Sequence, residues 1–222
     1  MNYIITGVII LIIGYAFGCF STGYFVGKKN GLDIRLTGSG NIGTTNALRS
    51  LGAKAGAITF LGDLLKAFIP TLVVKFAFCP AMGYADDITY LFTLLAGLGV
   101  VMGHNFPFYL GFRGGKGIAA SAGMLLAMDW RVFLICAVIF IGLVAITRYV
   151  SLGSMAAYVG ALICFIGFGA AGSYGMDFPH TFEMDVIMGL MTALAIYRHR
   201  ANIYRLFNGT ENKLGAAKTA AK

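Results

Sequence analysis

From Tyr3 to Val26 the chain carries no charged residue. As an α-helix this stretch of 24 residues would reach about 36 Å, enough to cross the roughly 30 Å hydrocarbon core of a bilayer. No other sequence feature limits the possible folds so strongly. The composition agrees, with 58% hydrophobic and 12% charged residues, where a soluble domain has about 45 to 50% apolar residues. The first lysines, Lys28 and Lys29, follow the run instead of preceding it. A secretory signal has the reverse order, so a retained first span is expected.

Further apolar segments run over Ala55–Phe78, Ile88–Gly103, Gly117–Met128, Val132–Thr147, Leu152–Ala171 and Val186–Tyr197. The stretch from Gly117 to Thr147 could be one long helix or two short ones turning at Asp129-Trp130-Arg131, and counting charge separates the two readings. With two helices, 14 of the 17 Lys and Arg residues fall on one side of the membrane; with one helix they divide seven and seven. Lys and Arg concentrate in cytoplasmic loops. The expected architecture is therefore an all-α integral membrane protein with seven transmembrane helices, some of them short. Its N-terminus lies outside and its C-terminus is cytoplasmic. Residues 1–222 form a single polytopic membrane domain with a tail from about 206 to 222. Glycines such as Gly153, Gly160, Gly167 and Gly169 recur in the predicted helices, where small residues allow close packing in lipid.

The formal charge of +8 does not point to nucleic acid, because the cations lie in short clusters between apolar runs and serve as topology signals. Cys19, Cys79, Cys136 and Cys164 stand far apart with no C-x-x-C pair, so redox and zinc sites are not expected. No carboxylate pair or H-E-x-x-H spacing occurs on the basic side, which removes glycosidase and metalloprotease chemistry. No metal and no cofactor is expected.

Three polar segments fall on the basic side. Gly38 to Arg49 alternates glycine with Ser39, Asn41, Thr44, Thr45 and Asn46; it is either an ordinary polar turn or a loop whose N–H groups converge on an anion, with Arg49 adding a forked contact. Gly103 to Gly117 contains His104, Asn105 and the run Gly114-Gly115-Lys116-Gly117. That run opens a helix, so the segment is either an interfacial turn or a phosphate site at a helix N-terminus. It matches neither a Walker A loop nor a dinucleotide turn. Tyr197 to Leu206 places His199 and Asn202 three apart on one helix face, near Arg200 and Glu211; it is either a basic membrane anchor or part of a site. Ser151 and Ser154 also share a face at a helix start, as caps or as phosphate ligands. Asp63 and Lys66 lie three apart within the second span and form either a structural pair or an intramembrane functional pair. His180, in an opposite loop, reads as solvated. Together these segments predict a phosphate-bearing substrate, bound either by an enzyme or by a membrane transporter of an organic phosphate.

The three segments resemble the motifs of the bacterial membrane acyltransferases that make lysophosphatidic acid from acyl phosphate and glycerol 3-phosphate. Ser39 to Arg49 is similar to S-G-N-x-G-A-T-N-x-x-R with Thr44 in place of alanine, and Gly103 to Gly117 to G-H-x-F-P-x-x-x-G-F-x-G-G-K-G. His199 to Glu211 is similar to H-R-x-N-I-x-R-L-x-x-G-x-E. The Asp63-x-x-Lys66 pair also resembles the family, with Ala67 where glycine is expected. The H-x-x-x-x-D dyad of the acyl-CoA enzymes is absent after His104, His180 and His199.

The resemblance implies an acyltransferase of the bacterial cytoplasmic membrane whose site faces the cytoplasm. It would use acyl phosphate and glycerol 3-phosphate without coenzyme A or acyl carrier protein, and have a functional link to a soluble enzyme that produces acyl phosphate. It implies catalytic roles for Ser39, Arg49, Lys116, His199 and Asn202. Substrate contacts are expected from Asn41, Thr45, Asn46, His104, Asn105, Gly114, Gly115, Gly117, Ser151, Ser154, Arg200 and Glu211. In this reading Arg49 holds the glycerol phosphate, Lys116 follows the leaving phosphate, and the turn before Lys116 offers backbone N–H groups. His199 binds phosphate while the acceptor's own phosphate takes the proton, and Glu211 fixes the tail by pairing with an arginine.

Overall fold

The computed structural model describes residues 2–215, and among them every regular element is helical. α1 (Tyr3–Cys19) and α2 (Thr22–Lys29) form the first rod, and α3 (Thr44–Leu51) is a short helix outside it. α4 (Ala53–Val73) continues through a π-helical turn, Val74–Phe78, into α5 (Cys79–Ala81). α6 (Asp86–Asn105), α7 (Ile118–Met128), α8 (Trp130–Thr147), α9 (Val150–Ala170), α10 (Phe178–Arg198) and α11 (Arg200–Phe207) follow. The tail expected over 206–222 is described only as far as residue 215, and Met1 lies outside the described residues.

The polarity of the bundle is the reverse of a soluble protein's. Ile12, Phe17, Val138, Ile141 and Ile146 are exposed on its outside, while Thr59, Asp63, Thr71, Thr93 and His104 are buried within it. Such an exterior is suited to lipid, and helices satisfy their own backbone groups there. The chain is a multi-pass membrane protein. Among the described residues, five stretches are long and apolar enough to cross: Tyr3–Lys29, Ala53–Ala81, Asp86–Leu110, Trp130–Thr147 and Val150–Ala170. Of the other two expected crossings, α7 has only 11 residues, and α10 opens on a polar stretch containing His180, Glu183 and Asp185.

The first span is not the continuous helix its composition predicts. Phe20 is extended at ψ 109 because its carbonyl accepts from the Lys66 ammonium at 2.6 Å. A side chain that captures a carbonyl from the i→i−4 ladder breaks a helix without proline. The helix break expected between Gly117 and Thr147 occurs at Asp129, whose carboxylate accepts the Arg131 N–H and caps α8. His180, expected to be solvated, places Nδ1 2.8 Å from an Asp87 carboxylate oxygen.

Glycine sets the closest helix contact. A Cβ on Gly14 or Gly18 of α1 would lie 2.5 Å from the Ala96 carbonyl oxygen or 2.1 Å from that of Val100, both on α6. The reverse holds for Gly99 and Gly103 of α6 against Leu11 and Tyr15, at 2.3 and 2.1 Å. The small-xxx-small spacing therefore occurs on both partners. Among the four glycines singled out by sequence, Gly153, Gly160 and Gly169 each face a close neighbour, whereas Gly167 has no atom within 4 Å of a built Cβ. Gly18→Leu is expected to prevent recovery of a folded, monodisperse protein in detergent. Gly167→Ala is expected to raise stability by about 0.5 to 1 kcal/mol through helix propensity. Thermal unfolding of the two variants beside the parent checks both.

Candidate active site

The first polar segment is held rigid by its own asparagine. Asn46, on the buried face of α3, accepts the Ser39 N–H at 2.9 Å and donates to the carbonyls of Ile34 and Thr37 at 3.1 and 3.0 Å. A Cβ on Gly38, at φ +57, would lie 2.2 Å from the Asn46 Oδ1, so that turn requires glycine. Both ends of the Asn46 amide are thus occupied in shaping the loop. Asn41 accepts the Gly43 N–H at 2.9 Å. Ile34, Ile42, Ala47 and Leu110 form a small apolar cluster beneath the loop, leaving Ser39, Thr45 and Arg49 facing the cavity.

The second segment differs from expectation in its backbone. The Gly114 and Gly115 N–H groups donate to the carbonyls of Asn105 and His104 at 3.1 and 3.0 Å, so they are not free for an anion. A Cβ on Gly114 would lie 2.1 Å from the His104 carbonyl oxygen and 2.7 Å from that of Asn105, and one on Gly115 would lie 2.0 Å from the His104 ring, so the turn closes this tightly only with glycine. The donors left open are those at the start of α7, where the first intrahelical bond is Ser121 N–H to the Gly117 carbonyl at 2.7 Å. Arg198, which sequence reasoning did not single out, donates to the Gly114 carbonyl at 2.9 Å and the Gly115 carbonyl at 2.6 Å. It fastens the turn to the end of α10.

The third segment meets Lys116 directly. The Lys116 ammonium donates to the Asn202 Oδ1, and the Asn202 amide donates to Glu211 at 2.7 Å. Glu211 also accepts from Arg205 at 2.7 Å and from Ser151 at 3.0 Å. The pairing of Glu211 with an arginine is as expected. Leu214 then closes the tail against Arg148: its N–H donates to the Arg148 carbonyl at 2.7 Å, and the Arg148 guanidinium donates back to its carbonyl. The Ser154 hydroxyl is spent on the Val150 carbonyl at 2.8 Å, a bond within its own helix. His199 sets Nδ1 2.8 Å from the Ala195 carbonyl. A carbonyl only accepts, so the ring carries its proton on Nδ1 and presents Nε2 as the lone-pair nitrogen.

These segments line one cavity of about 1080 Å³. Ser39, Asn41, Thr45, Asn46, Arg49, His104, Gly114, Lys116, Gly117, Ser151, Ser154, His199, Asn202 and Glu211 all lie on its wall. Three expected residues do not. Asn105 is buried beside Gly117 and Gly115 beneath His104, while Arg200 turns outward and stacks on the Tyr197 ring at 4.4 Å. Sequence reasoning passed over Arg35, Arg113, Arg198 and Arg205, which share the wall; their only sequence signal is proximity to the motifs.

Charge in the cavity is unbalanced. The carboxylates of Asp33, Asp63 and Glu211 are paired with Arg35, Lys66 and Arg205. Among the described residues, Arg49, Arg113, Lys116 and Arg198 have no carboxylate partner. Burial pulls the Lys116 ammonium down to about 8, against the raising effect of Glu211. Burial first, and then the Lys116 charge, hold His199 down to about 4, so it is neutral near pH 7. The arrangement can bind oxyanions at several points and offers them a neutral imidazole.

Residues 8–209 match the family model described as glycerol-3-phosphate acyltransferase. A curated protein of that name from Clostridioides difficile (strain 630) is 44% identical over 216 residues, covering 95% of this chain and 97% of its own length. The fold is similar to the crystal structure of PlsY (YgiH), an integral membrane glycerol 3-phosphate acyltransferase, in its glycerol 3-phosphate form. That likeness has a TM-score of 0.78 at 36% identity and covers 94% of this chain and 96% of the other. The lysophosphatidic acid form of PlsY gives 0.76 at 35%, covering 94% and 95%. Matching this extensive rules in an acyltransferase over a phosphate transporter. The chain belongs to the glycerol-3-phosphate acyltransferase family.

Proposed function

We propose that this enzyme transfers a fatty acyl group from acyl phosphate to glycerol 3-phosphate, giving lysophosphatidic acid and inorganic phosphate, the first acylation in phospholipid synthesis. The observation that carries this reading is the set of four cations without carboxylate partners around one cavity. Two phosphate-bearing substrates repel each other, and fixed cations at Arg49, Arg113, Lys116 and Arg198 offset that repulsion. The name of the relatives and the glycerol 3-phosphate and lysophosphatidic acid forms of PlsY support the acceptor and the product. Acyl phosphate as donor is supported by the motif resemblance and by the missing H-x-x-x-x-D dyad. A mixed anhydride also needs no further activation of its leaving group.

In this reading Arg49 takes the acceptor phosphate in a forked contact, with Ser39, Asn41 and Thr45 around it. The donor phosphate lies at Lys116 and the open N-terminus of α7, where free N–H groups favour an anion. The acyl chain runs along Phe60, Ile118, Ala119, Phe140 and Val144, the apolar part of the same wall. The acceptor hydroxyl oxygen attacks the carbonyl carbon; a carbon–oxygen bond forms to it as the carbon–oxygen bond to phosphate breaks. His199 Nε2 accepts a hydrogen bond from that hydroxyl and orients it. As a base near 4 it is weaker than a phosphate dianion near 6, so the proton passes to a phosphate oxygen. The site would lie on the cytoplasmic face of a bacterial inner membrane. There the seven helices α1/α2, α4, α6, α7, α8, α9 and α10 cross with the N-terminus outside, and a soluble enzyme supplies the acyl phosphate.

Purified protein in detergent is expected to form lysophosphatidic acid from acyl phosphate and glycerol 3-phosphate; if no product forms with that donor but one forms with acyl-CoA, the donor assignment is wrong. A cysteine placed at position 213 is expected to react with impermeant reagent only from the cytoplasmic side, and labelling from outside would overturn the orientation. Lys116→Ala should lower turnover by about 10² or more, the scale of removing one transition-state donor. Lys116 is charged below about 8, so kcat/KM should be retained at lower pH and fall as pH rises through that value. Because kcat reports the substrate-bound enzyme, in which phosphates favour the ammonium, its fall should come at higher pH. Lys116→Arg should remove the fall from both profiles.

A further inference from the structure

One buried charged cluster has no part in the chemistry above. Asp63 and Lys66 of α4 meet His104 at the end of α6, and all three side chains are nearly sealed, at 1%, 6% and 4% exposure. The Lys66 ammonium lies 2.9 Å from Asp63 Oδ1, 2.6 Å from the Phe20 carbonyl and 2.8 Å from His104 Nδ1. An ammonium has three hydrogens to donate and nothing with which to accept. Two of its hydrogens go to the Phe20 carbonyl and to His104 Nδ1, while Asp63 balances its charge; facing an ammonium, Nδ1 can only accept. Nδ1 therefore holds the lone pair and the proton sits on Nε2.

The Nε2–H so fixed has no acceptor among the described residues, yet His104 lines the substrate cavity. It stands against the turn that carries Lys116: a Cβ built on Gly115 would lie 2.0 Å from Nε2. With no protein acceptor, this N–H is left for an oxygen of the substrate in the cavity. The donor's depth selects the oxygen. Gly56, in the first turn of α4, packs on Leu48 beside Arg49, whereas Asp63, 3.6 Å from His104 Nδ1, lies about two turns further along that helix, so His104 sits inward of Arg49. An acyl phosphate must place its phosphate among those cations and its chain along the apolar wall, so its carbonyl lies at the boundary between them.

We infer that His104 is a neutral hydrogen-bond donor to the acyl carbonyl oxygen, through Nε2–H, and that Lys66 is the positioning residue that fixes this tautomer. This rests on the acyl-transfer reading proposed above. His104 neither gives up nor takes a proton: as the acceptor oxygen bonds to the carbonyl carbon, negative charge grows on the carbonyl oxygen and the fixed N–H meets it. Asp63 balances the ammonium, so the cluster brings a donor to the wall of the site without adding net charge there.

The test uses the side-chain amides, since Gln can place an N–H where Nε2 stands and Asn reaches only as far as Nδ1. His104→Gln should keep kcat within about tenfold of the parent, while His104→Ala and His104→Asn should lose about 10² to 10³ in kcat with little change in KM, the scale of one oxyanion donor. A His104→Ala variant with parental kcat, or a Gln variant as inactive as the Ala variant, overturns the proposal; the second result would make His104 a base. Should the variants not fold, the unmodified enzyme decides. Nuclear magnetic resonance of histidine nitrogens should show His104 protonated at Nε2 alone, and in an Asp63→Asn/Lys66→Met double variant, which leaves no charge unpaired, that single tautomer should be lost. Protonation at Nδ1 in the parent overturns the proposal. Absence of product from acyl phosphate with the Nε2–H signature intact would instead count against the acyl-transfer reading.

Discussion

A single buried ammonium links the parts of this fold that matter to the site. Lys66 reaches from the middle of α4 to the Phe20 carbonyl, His104 and Asp63. In hydrocarbon such a charge is tolerated only when its hydrogens and its charge are all matched. The three partners come from α1's end, α6 and α4 itself, so satisfying one lysine fixes the relation of three helices. The interaction also breaks the first span and thereby sets where α2 and the motif loop after it begin. Removing one member would leave another charge buried without a partner, which is much more damaging than losing the pair together.

The loop that carries Lys116 is built from the same region outward. His104 and Asn105 supply the carbonyls that close the Gly114-Gly115 turn, and Arg198 locks that turn from α10. Lys116 then projects to Asn202, which Glu211 holds, and Glu211 is itself held by Arg205 and Ser151. The Lys116 ammonium is thus gripped by side chains from three other segments, each placing the next. Such pre-organisation matters because a donor that need not reorganise stabilises developing charge far better than a mobile one. The long flexible lysine gains from it more than a short side chain would.

Glycine serves two physical ends in the molecule. On α1 and α6 it lets two backbones approach within a distance that any Cβ would forbid, as at Gly18 and Gly103. At Gly114 and Gly115 it lets a turn fold back on the residues that end α6. The first use determines helix packing and the second determines the site, and they meet at Gly103-His104-Asn105, where the α1 contact stops and the cavity starts.

Much was legible in the amino-acid order. Hydrophobic run length gave the helical membrane class, the break at Asp129 followed from charge counting, and the spacing of Ser39 to Arg49, Gly103 to Gly117 and His199 to Glu211 marked the wall of one cavity. These are local properties, written in periodicity and composition. The kink at Phe20, the duty of Asn46 within its own loop, the spent N–H groups of Gly114 and Gly115, the outward turn of Arg200 and the clamp of Arg198 were not legible. Each depends on a partner 7 to 84 positions away or on the direction a side chain takes. A linear sequence states which donors and acceptors exist; only the packed helices decide which of them are used up holding the fold and which are left for a substrate.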